Sequence, residues 1–297
     1  MILVAGGTGF VGRALVNQLL EQGEPVRLLV KPSKQTPVLP RGIPVEITVS
    51  SLLDERSLRS AFRNVDVFYH LVSDERRGGR ADFAGVDVAG TESLIKIARQ
   101  AGVSQLVFLS HLGTEQGSAF AMLQAKAIAE NLIARSRIPY TILRSSIIFG
   151  PGDHFTTSLA RLLKISPGIV LIPGQGATML QPIWIDDLIA CLIWTRQQEN
   201  ALNQTYSIGG GEYLTFRNIL ETVMQATGRR RYLVSLSPVY IRAITLVLQQ
   251  FIPRYPISIH WLDYLADDRT CSLDTLPRTF GILPSRFSHH LDYLKGH

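Results

Sequence analysis

Cysteine is scarce in this sequence. Its 297 residues include only two cysteines, Cys191 and Cys271, which lie far apart and beside apolar residues. Two such cysteines exclude a disulfide-rich scaffold and a cysteine zinc site, and they favour a reducing compartment. No two of the seven histidines have the H-x-x-x-H spacing of a helical metal site, so no metal is expected.

Long apolar runs are missing as well. The most apolar late stretch, residues 239–252, is shorter than the roughly 20 residues that cross a bilayer, and one arginine and two glutamines interrupt it. We therefore expect a cytoplasmic protein. The stretch still has apolar residues at helical spacing, namely Tyr240, Ile241, Ile244, Leu248 and Phe251 or Ile252. Two interpretations stay open: one face of this helix packs on the protein, or the helix rests on a membrane or a membrane-bound partner.

Charge of one sign is only mildly in excess. Thirty Lys and Arg against 24 Asp and Glu give a net charge of +6, spread along the chain. This excess suits a phosphate-bearing small molecule, an anionic membrane or nucleic acid, and does not choose among them. The longest basic run, Arg229-Arg230-Arg231, follows Gly228 at an expected helix end, and no aromatics interleave with it for stacking on bases. No nucleic acid is therefore expected as a partner.

The hydrophobic pattern of the first half predicts an α/β fold. The composition, 46% hydrophobic and 18% charged, is that of a globular chain. Short apolar segments alternate with amphipathic helical ones, and we predict strands over residues 2–5, 26–30, 45–49, 67–71, 106–110 and 140–144. Strands that are apolar on both faces and separated by helix-length segments are typical of a doubly wound parallel sheet with helices on both sides.

A glycine-rich turn joins the first predicted strand to the first predicted helix. Its residues are Gly6, Gly7, Thr8, Gly9, Phe10, Val11 and Gly12. Glycines permit positive φ and let a pyrophosphate approach bare backbone, while the helix N-terminus offers unpaired N–H groups to the phosphates. After an N-terminal strand the pattern predicts a Rossmann dinucleotide site, with Leu71 at the end of the fourth strand as a further cofactor contact. The alternative is a purely structural glycine turn.

The end of the second strand bears on which dinucleotide binds. NAD-binding chains usually present an acid there to hold the ribose 2′-hydroxyl. Here the strand is followed by Lys31-Pro32-Ser33-Lys34, without an acid. Lys31 and Lys34 would pair with a 2′-phosphate, so NADP(H) is favoured over NAD(H). The alternative is that both lysines belong to an ordinary solvated loop.

The rhythm of the sequence changes after Gly150-Pro151-Gly152, where proline and glycine become more frequent. We predict an NAD(P)-binding core over residues 1–153, to which residues 177–208 return. Residues 154–176 and 209–297 then form a smaller, mainly helical C-terminal lobe for a substrate or a partner.

Four segments resemble motifs of one enzyme superfamily. They cover residues 65–71, 86–91, 143–153 and 181–188. Together they resemble the extended short-chain dehydrogenases/reductases of the epimerase/dehydratase type over nearly the whole chain. Within that superfamily the sequence is most similar to the atypical branch, which includes NmrA-like proteins and the nucleotide-binding accessory subunit of respiratory complex I. The resemblance implies a bound nicotinamide dinucleotide.

The sequence departs from this family at its catalytic motif. Active members carry Y-x-x-x-K on a helix, where the tyrosine is the general acid/base and the lysine lowers its pKa and holds the nicotinamide ribose. Here Lys126 is present but Met122 occupies the tyrosine position, and no tyrosine occurs between Tyr69 and Tyr140. The family's asparagine on the preceding helix corresponds to Asp87.

Three hypotheses about function follow. In the first, the protein binds NADP(H) for structure, sensing or assembly, with Lys126 holding the ribose. In the second, it is an NADPH-dependent reductase or an epimerase/dehydratase-like enzyme on an unknown small molecule. The proton relay would then be Lys126, with Ser110 near the family's catalytic serine and His111 beside it as further candidates. The third, a redox sensor that distinguishes NADP+ from NADPH, lies between them.

Overall fold

A computed structural model describes residues 1–33, 45–251, 256–257 and 259–295. In chain order the strands are β1 (Ile2–Ala5), β2 (Val26–Val30), β3 (Glu46–Val49), β4 (Val67–His70), β5 (Gln105–His111), β6 (Tyr140–Ser145), β7 (Ile148–Phe149), β8 (Ile169–Pro173), β9 (Met179–Leu180), β10 (Ile183–Trp184), β11 (Gln204–Ile208), β12 (Leu214–Thr215) and β13 (Tyr232–Leu236).

The α-helices are α1 (Phe10–Glu21), α2 (Glu55–Ala61), α3 (Gly90–Gln100), α4 (Ala121–Ala134), α5 (Phe155–Ile165), α6 (Ile185–Gln197), α7 (Phe216–Thr227), α8 (Pro238–Phe251) and α9 (Ile259–Tyr264). Short 3₁₀ or π turns cover Glu75–Arg80, Phe83–Ala89, Glu199–Ala201, Leu276–Phe280, Phe287–His290 and Asp292–Leu294.

The centre of the fold is a seven-stranded sheet in the order β11-β6-β5-β4-β1-β2-β3. The pairs β2–β3, β1–β2, β1–β4 and β4–β5 are parallel. The strand order reverses between β1 and β4, which is the place where dinucleotides bind in doubly wound sheets. The predicted doubly wound fold is confirmed, and each of the six predicted strands is present to within a residue at either end.

One predicted feature of the sheet is wrong. The strands were expected to be apolar and buried on both faces, yet β3 is mostly exposed, with Ile47 and Val49 open to solvent. The reason is topological, because β3 is the edge strand and has a strand neighbour on one side only. By contrast β1 and β2 are buried at every residue.

The chain divides into two compact units. Unit 1 comprises residues 1–76, 81–144 and 188–207, and it contains the central sheet apart from the terminal residues of β6 and β11. Unit 2 comprises residues 77–80, 145–187 and 208–297. Compactness does not test whether a segment folds or functions by itself, so the predicted limits of core and lobe stay a prediction.

Unit 2 contains three two-stranded sheets, β7–β10, β8–β13 and β9–β12, together with α5, α7, α8 and α9. In unit 2, Asp153 holds the glycine-rich segment Gly150-Pro151-Gly152 in place. This buried carboxylate accepts hydrogen bonds from the Gly150 and Thr157 amides, at 2.9 and 3.1 Å. It also accepts from the hydroxyls of Thr156 and Tyr293, at 2.6 and 2.9 Å. The aspartate that carried part of the family resemblance therefore organises the start of α5.

Among the helices that the structure describes, none has the length and apolar character required to traverse a lipid bilayer. A cytoplasmic location stays a prediction.

Candidate functional site

The glycine-rich turn follows β1 and requires glycine at two close approaches. Gly6 has φ of +89°, and a Cβ atom there would lie 2.7 Å from the carbonyl carbon and oxygen of Leu71, which follows β4. A Cβ on Gly12 would lie 2.2 Å from the Gly6 carbonyl oxygen, which already accepts the Gly9 amide at 2.9 Å. Any side chain at these positions would push the turn apart.

Helix α1 begins at this turn without a side-chain cap. Its N-cap is Gly9, no side chain accepts from the first amides, and the first turn has no acidic residue. Partly exposed Thr8, Phe10 and Val11 surround the helix start. Gly7 has a different reason to be glycine, because a Cβ there would lie 2.6 Å from the Leu28 side chain. A bare helix N-terminus behind a tight glycine turn fits a dinucleotide pyrophosphate.

The two lysines expected to select the dinucleotide come after β2 in the sequence. Lys31 follows β2 directly and is exposed. Lys34 lies outside the described residues. Leu71, the remaining predicted cofactor contact, is partly exposed beside Gly6.

Lys126 is buried in an ion pair with Asp87. Its Nζ lies 3.2 Å from Asp87 Oδ1, and the two side chains are 3% and 1% exposed. The same ammonium approaches the Val72 carbonyl oxygen at 3.4 Å and lies 5.1 Å from the centre of the Phe108 ring. Met122, one helical turn earlier on α4, is buried as well. One face of α4 thus presents a buried apolar side chain at position 122 and an ion-paired lysine at position 126.

Asp87 connects this pair to a buried histidine at the end of β4. The backbone carbonyl of Asp87 accepts the Thr91 hydroxyl at 2.6 Å, and that hydroxyl lies 2.7 Å from His70 Nε2. The Thr91 hydroxyl donates its proton to the Asp87 carbonyl, so His70 Nε2 must donate to the Thr91 oxygen. His70 Nδ1 then accepts the Val72 amide at 3.4 Å. Burial, with a smaller contribution from the Lys126 charge, lowers the pKa of His70 from 6.5 to about 3. His70 is therefore neutral.

The end of β5 contributes the other predicted site residues. Ser110 is fully buried, with Oγ 3.2 Å from the Thr114 hydroxyl, which donates to the His111 carbonyl at 2.7 Å. His111 itself is partly exposed, and its Nε2 lies 2.9 Å from Glu75 Oε2. Ser110 is thus engaged locally, whereas His111 forms a partly accessible pair with a carboxylate.

The sheet brings these groups to one edge. Ala5 pairs with His70 and His70 with Phe108, so the turns after β1, β4 and β5 leave the sheet side by side. Glu75, as the partner of His111, is a residue that the sequence reasoning missed. The available signal was its position shortly after β4, because carboxyl ends of neighbouring parallel strands meet at one edge.

Comparison with known proteins supports the binding of a nicotinamide dinucleotide by this chain. Residues 6–154 match a family model described as NAD(P)H-binding. The chain is 27% identical over 313 residues to sterol demethylase protein B of Methylococcus capsulatus, covering 95% of this chain and 93% of that protein. It is 26% identical over 225 residues to a 3-diazoavenalumate denitrifying reductase of a Streptomyces species, covering 67% of this chain and 72% of that protein.

A third relative is longer than this chain. Subunit 9 of the NADH dehydrogenase [ubiquinone] 1 alpha subcomplex from Arabidopsis thaliana is 26% identical over 227 residues. The match covers 73% of this chain but 56% of the mitochondrial subunit. The chain therefore spans little more than half the length of this relative.

Solved structures share the fold. An NADPH-dependent quinone oxidoreductase of Escherichia coli, crystallised with NADPH, superimposes with a TM-score of 0.77 at 17% identity, covering 99% of both chains. A nucleoside-diphosphate-sugar epimerase of Staphylococcus aureus gives a TM-score of 0.75 at 17% identity, covering 98% of this chain and 99% of the epimerase. The expected kinship with epimerase-like and reductase proteins is confirmed. NAD(P)(H) binding is supported, without a choice between NAD(H) and NADP(H).

The buried state of His70 predicts how stability depends on pH. Since its pKa is about 3 in the folded chain and 6.5 as the ordinary value, only the unfolded chain takes up this proton as the pH falls below 6.5. The free energy of unfolding should then drop by at most about 1.4 kcal/mol per pH unit on this account. In His70→Gln the free energy of unfolding should fall less steeply as the pH is lowered, by the slope that corresponds to the uptake of about one proton. Urea unfolding between about pH 7 and about pH 5 measures this slope.

The matched control is His289→Gln, at an exposed position, which should leave the pH dependence as it is in the unsubstituted protein. Equal slopes for His70→Gln and the unsubstituted protein would contradict the assignment of His70 as a neutral, buried group.

Proposed function

The chain belongs to the NAD(P)H-binding family, and from that premise we propose that it holds its dinucleotide for a structural, sensing or assembly role. The observation that carries this proposal is the buried Lys126–Asp87 pair. Lys126 corresponds to the lysine of the motif that the chain resembles, and its charged partner here is Asp87 rather than a catalytic tyrosine.

A buried ion pair constrains what Lys126 can do. Neither charge is solvated, so each depends on the other, and removing a proton from Lys126 would leave Asp87 as an uncompensated buried carboxylate. The pair therefore fixes the Lys126 side chain in place. It is suited to donate hydrogen bonds to ribose hydroxyls, whereas giving up a proton would break the pair. Met122 has no proton to deliver.

The bound form that we propose is NADP(H). Lys31 is exposed directly after β2, no acid stands beside it in residues 30–34, and a 2′-phosphate would gain a charge-assisted contact there. Gly6, Gly9 and Gly12 hold the pyrophosphate, with Leu71 as the neighbour directly after β4.

A second candidate function, reduction of a small molecule, is favoured by the His111–Glu75 pair. A bound NAD(P)H supplies a hydride to a carbonyl carbon, and the carbonyl oxygen then needs one proton to give the alcohol. Imidazole commonly transfers protons near neutral pH, and a carboxylate partner fixes its orientation and stabilises its charged form. In this candidate His111 gives the proton and Glu75 orients it, while Lys126 only binds.

The dinucleotide assignment is tested at Gly12. In Gly12→Ala the new Cβ would meet the Gly6 carbonyl, so binding of NADPH and NADH should both weaken by about 30-fold or more, equivalent to about 2 kcal/mol. Calorimetric titration measures this. Gly117→Ala, whose Cβ would have no close neighbour, should bind as the unsubstituted protein does. Retention of full affinity by a folded Gly12→Ala would contradict the proposal, with far-UV circular dichroism as the check on folding.

The preference for NADP(H) is tested at Lys31. Lys31→Ala should weaken NADPH by about 5- to 10-fold, because one charge-assisted contact to the 2′-phosphate is lost. NADH has no such phosphate and serves as the internal control. An equal effect on both dinucleotides, or none on NADPH, would refute the preference.

The reductase candidate is tested with NADPH and 9,10-phenanthrenequinone as a generic carbonyl acceptor, followed by the loss of NADPH absorbance. His111→Gln should lower kcat by about 100-fold or more, and NADPH affinity should not change. His289→Gln is the matched control. No turnover by the unsubstituted protein, or undiminished turnover by His111→Gln, would count against this candidate and leave the binding role standing.

A further inference from the structure

Helix α8 in unit 2 is apolar on two opposite faces. Its inner face contains buried Ile241 and Thr245. Its outer face is exposed, and the large side chains there are Val239 (73%), Tyr240 (63%), Leu246 (50%), Val247 (53%) and Phe251 (76%). A helix of a water-exposed surface normally carries charged and polar residues on its outer side. Of the residues that the sequence spacing placed on one apolar face, Ile241 is buried, whereas Tyr240, Ile244 and Phe251 are exposed.

One charged residue, Arg242, is exposed on α8, with 48% of its side chain open to solvent. It forms an ion pair with Asp263 on α9. Gln250 is exposed as well. The charge that α8 exposes is therefore a cation, which suits an anionic partner.

The surroundings of α8 in sequence are basic and free of acids. Residues 222–262 contain no Asp or Glu, and they include Arg229, Arg230 and Arg231. Arg230 is exposed, and the Arg231 guanidinium donates to the Ser166 carbonyl at 3.0 Å. Tyr232, which is 81% exposed, follows directly. A run of three arginines and an exposed tyrosine thus precede α8 in this part of unit 2.

A second apolar surface lies on the sheet against which α8 rests. In the parallel pair β8–β13, Tyr232 is opposite Ile169 and Val234 is opposite Leu171, and all four are exposed. Helix α8 contacts β8. Contiguous exposed apolar surface of this kind marks a site of interaction.

We propose that the outer face of α8 binds the surface of a membrane that contains anionic lipids. The apolar and aromatic side chains enter the boundary between headgroups and acyl chains, while the arginine run before β13 faces the lipid phosphates. The absence of acids over residues 222–262 is the charge complementarity that selects this occupant. A second copy of the chain fits less well, because a symmetric contact would bring two basic faces together. The inference does not rest on the bound dinucleotide.

The test is cosedimentation of the full-length protein with vesicles. Binding is expected to vesicles of equal parts phosphatidylcholine and phosphatidylglycerol, and at least about 10-fold weaker binding to phosphatidylcholine alone. The double variant Val247→Glu with Phe251→Glu should bind the anionic vesicles at least about 10-fold more weakly. Arg230→Gln should weaken only the anionic interaction.

Leu283→Glu is the matched control, because Leu283 is an exposed leucine of unit 2 outside α8, and it should bind vesicles as the unsubstituted protein does. Equal vesicle binding by the α8 double variant, or no binding by the unsubstituted protein, would overturn the proposal. A concentration-dependent dimer that the double variant abolishes would overturn it in favour of a second copy. NADPH titration of the same variant, expected to be unchanged, separates this outcome from a failure of the nucleotide site.

Discussion

The buried ion pair between Lys126 and Asp87 is the interaction on which the candidate site depends. It fastens α4 to the π turn Phe83–Ala89, and through Asp87 it reaches further. The second carboxylate oxygen accepts the Asp74 amide at 3.1 Å, and the backbone carbonyl orders Thr91 beside His70. The segments that follow β4 and precede α3 are thus fixed by one charged pair. Loss of either partner would leave a lone buried charge, which costs far more than a surface ion pair.

The Lys126–Asp87 pair relates two departures from the family pattern, at positions 122 and 87. In the pattern that the chain resembles, the lysine acts on a tyrosine and the position of Asp87 is an asparagine. On the proposed correspondence of Met122 with the family's tyrosine, Lys126 has a buried apolar residue one helical turn earlier on α4. An asparagine at position 87 would keep an acceptor for the Asp74 amide but would supply no charge. Asp87 supplies both, so the lysine keeps its place and its charge without a catalytic tyrosine.

The sheet was predictable because its strands are buried and therefore almost continuously apolar, as in Ile2–Ala5 and Val26–Val30. The edge strand Glu46–Val49 differs because burial depends on neighbours that a local pattern does not reveal. The glycine-rich turn was predictable from the sequence because its steric constraints are local. The partners of Lys126 and His111 could not, because Asp87 and Glu75 reach them through the tertiary packing of other segments. A sequence pattern identifies the groups that need a counter-charge, and the fold decides which residue provides it.

Unit 1 buries charged side chains, whereas unit 2 exposes large apolar ones. Unit 1 places Lys126 and Asp87 in its interior as an ion pair, which favours a rigid site. Unit 2 leaves large apolar side chains of α8 in water, where they gain nothing unless a partner covers them. On α8 the outward side chains recur at helical spacing, in a long stretch of sequence without acids. Apolar side chains exposed by chance would not both recur at helical spacing and lie in a stretch without acids. The outer face of α8 therefore has the properties of a contact surface.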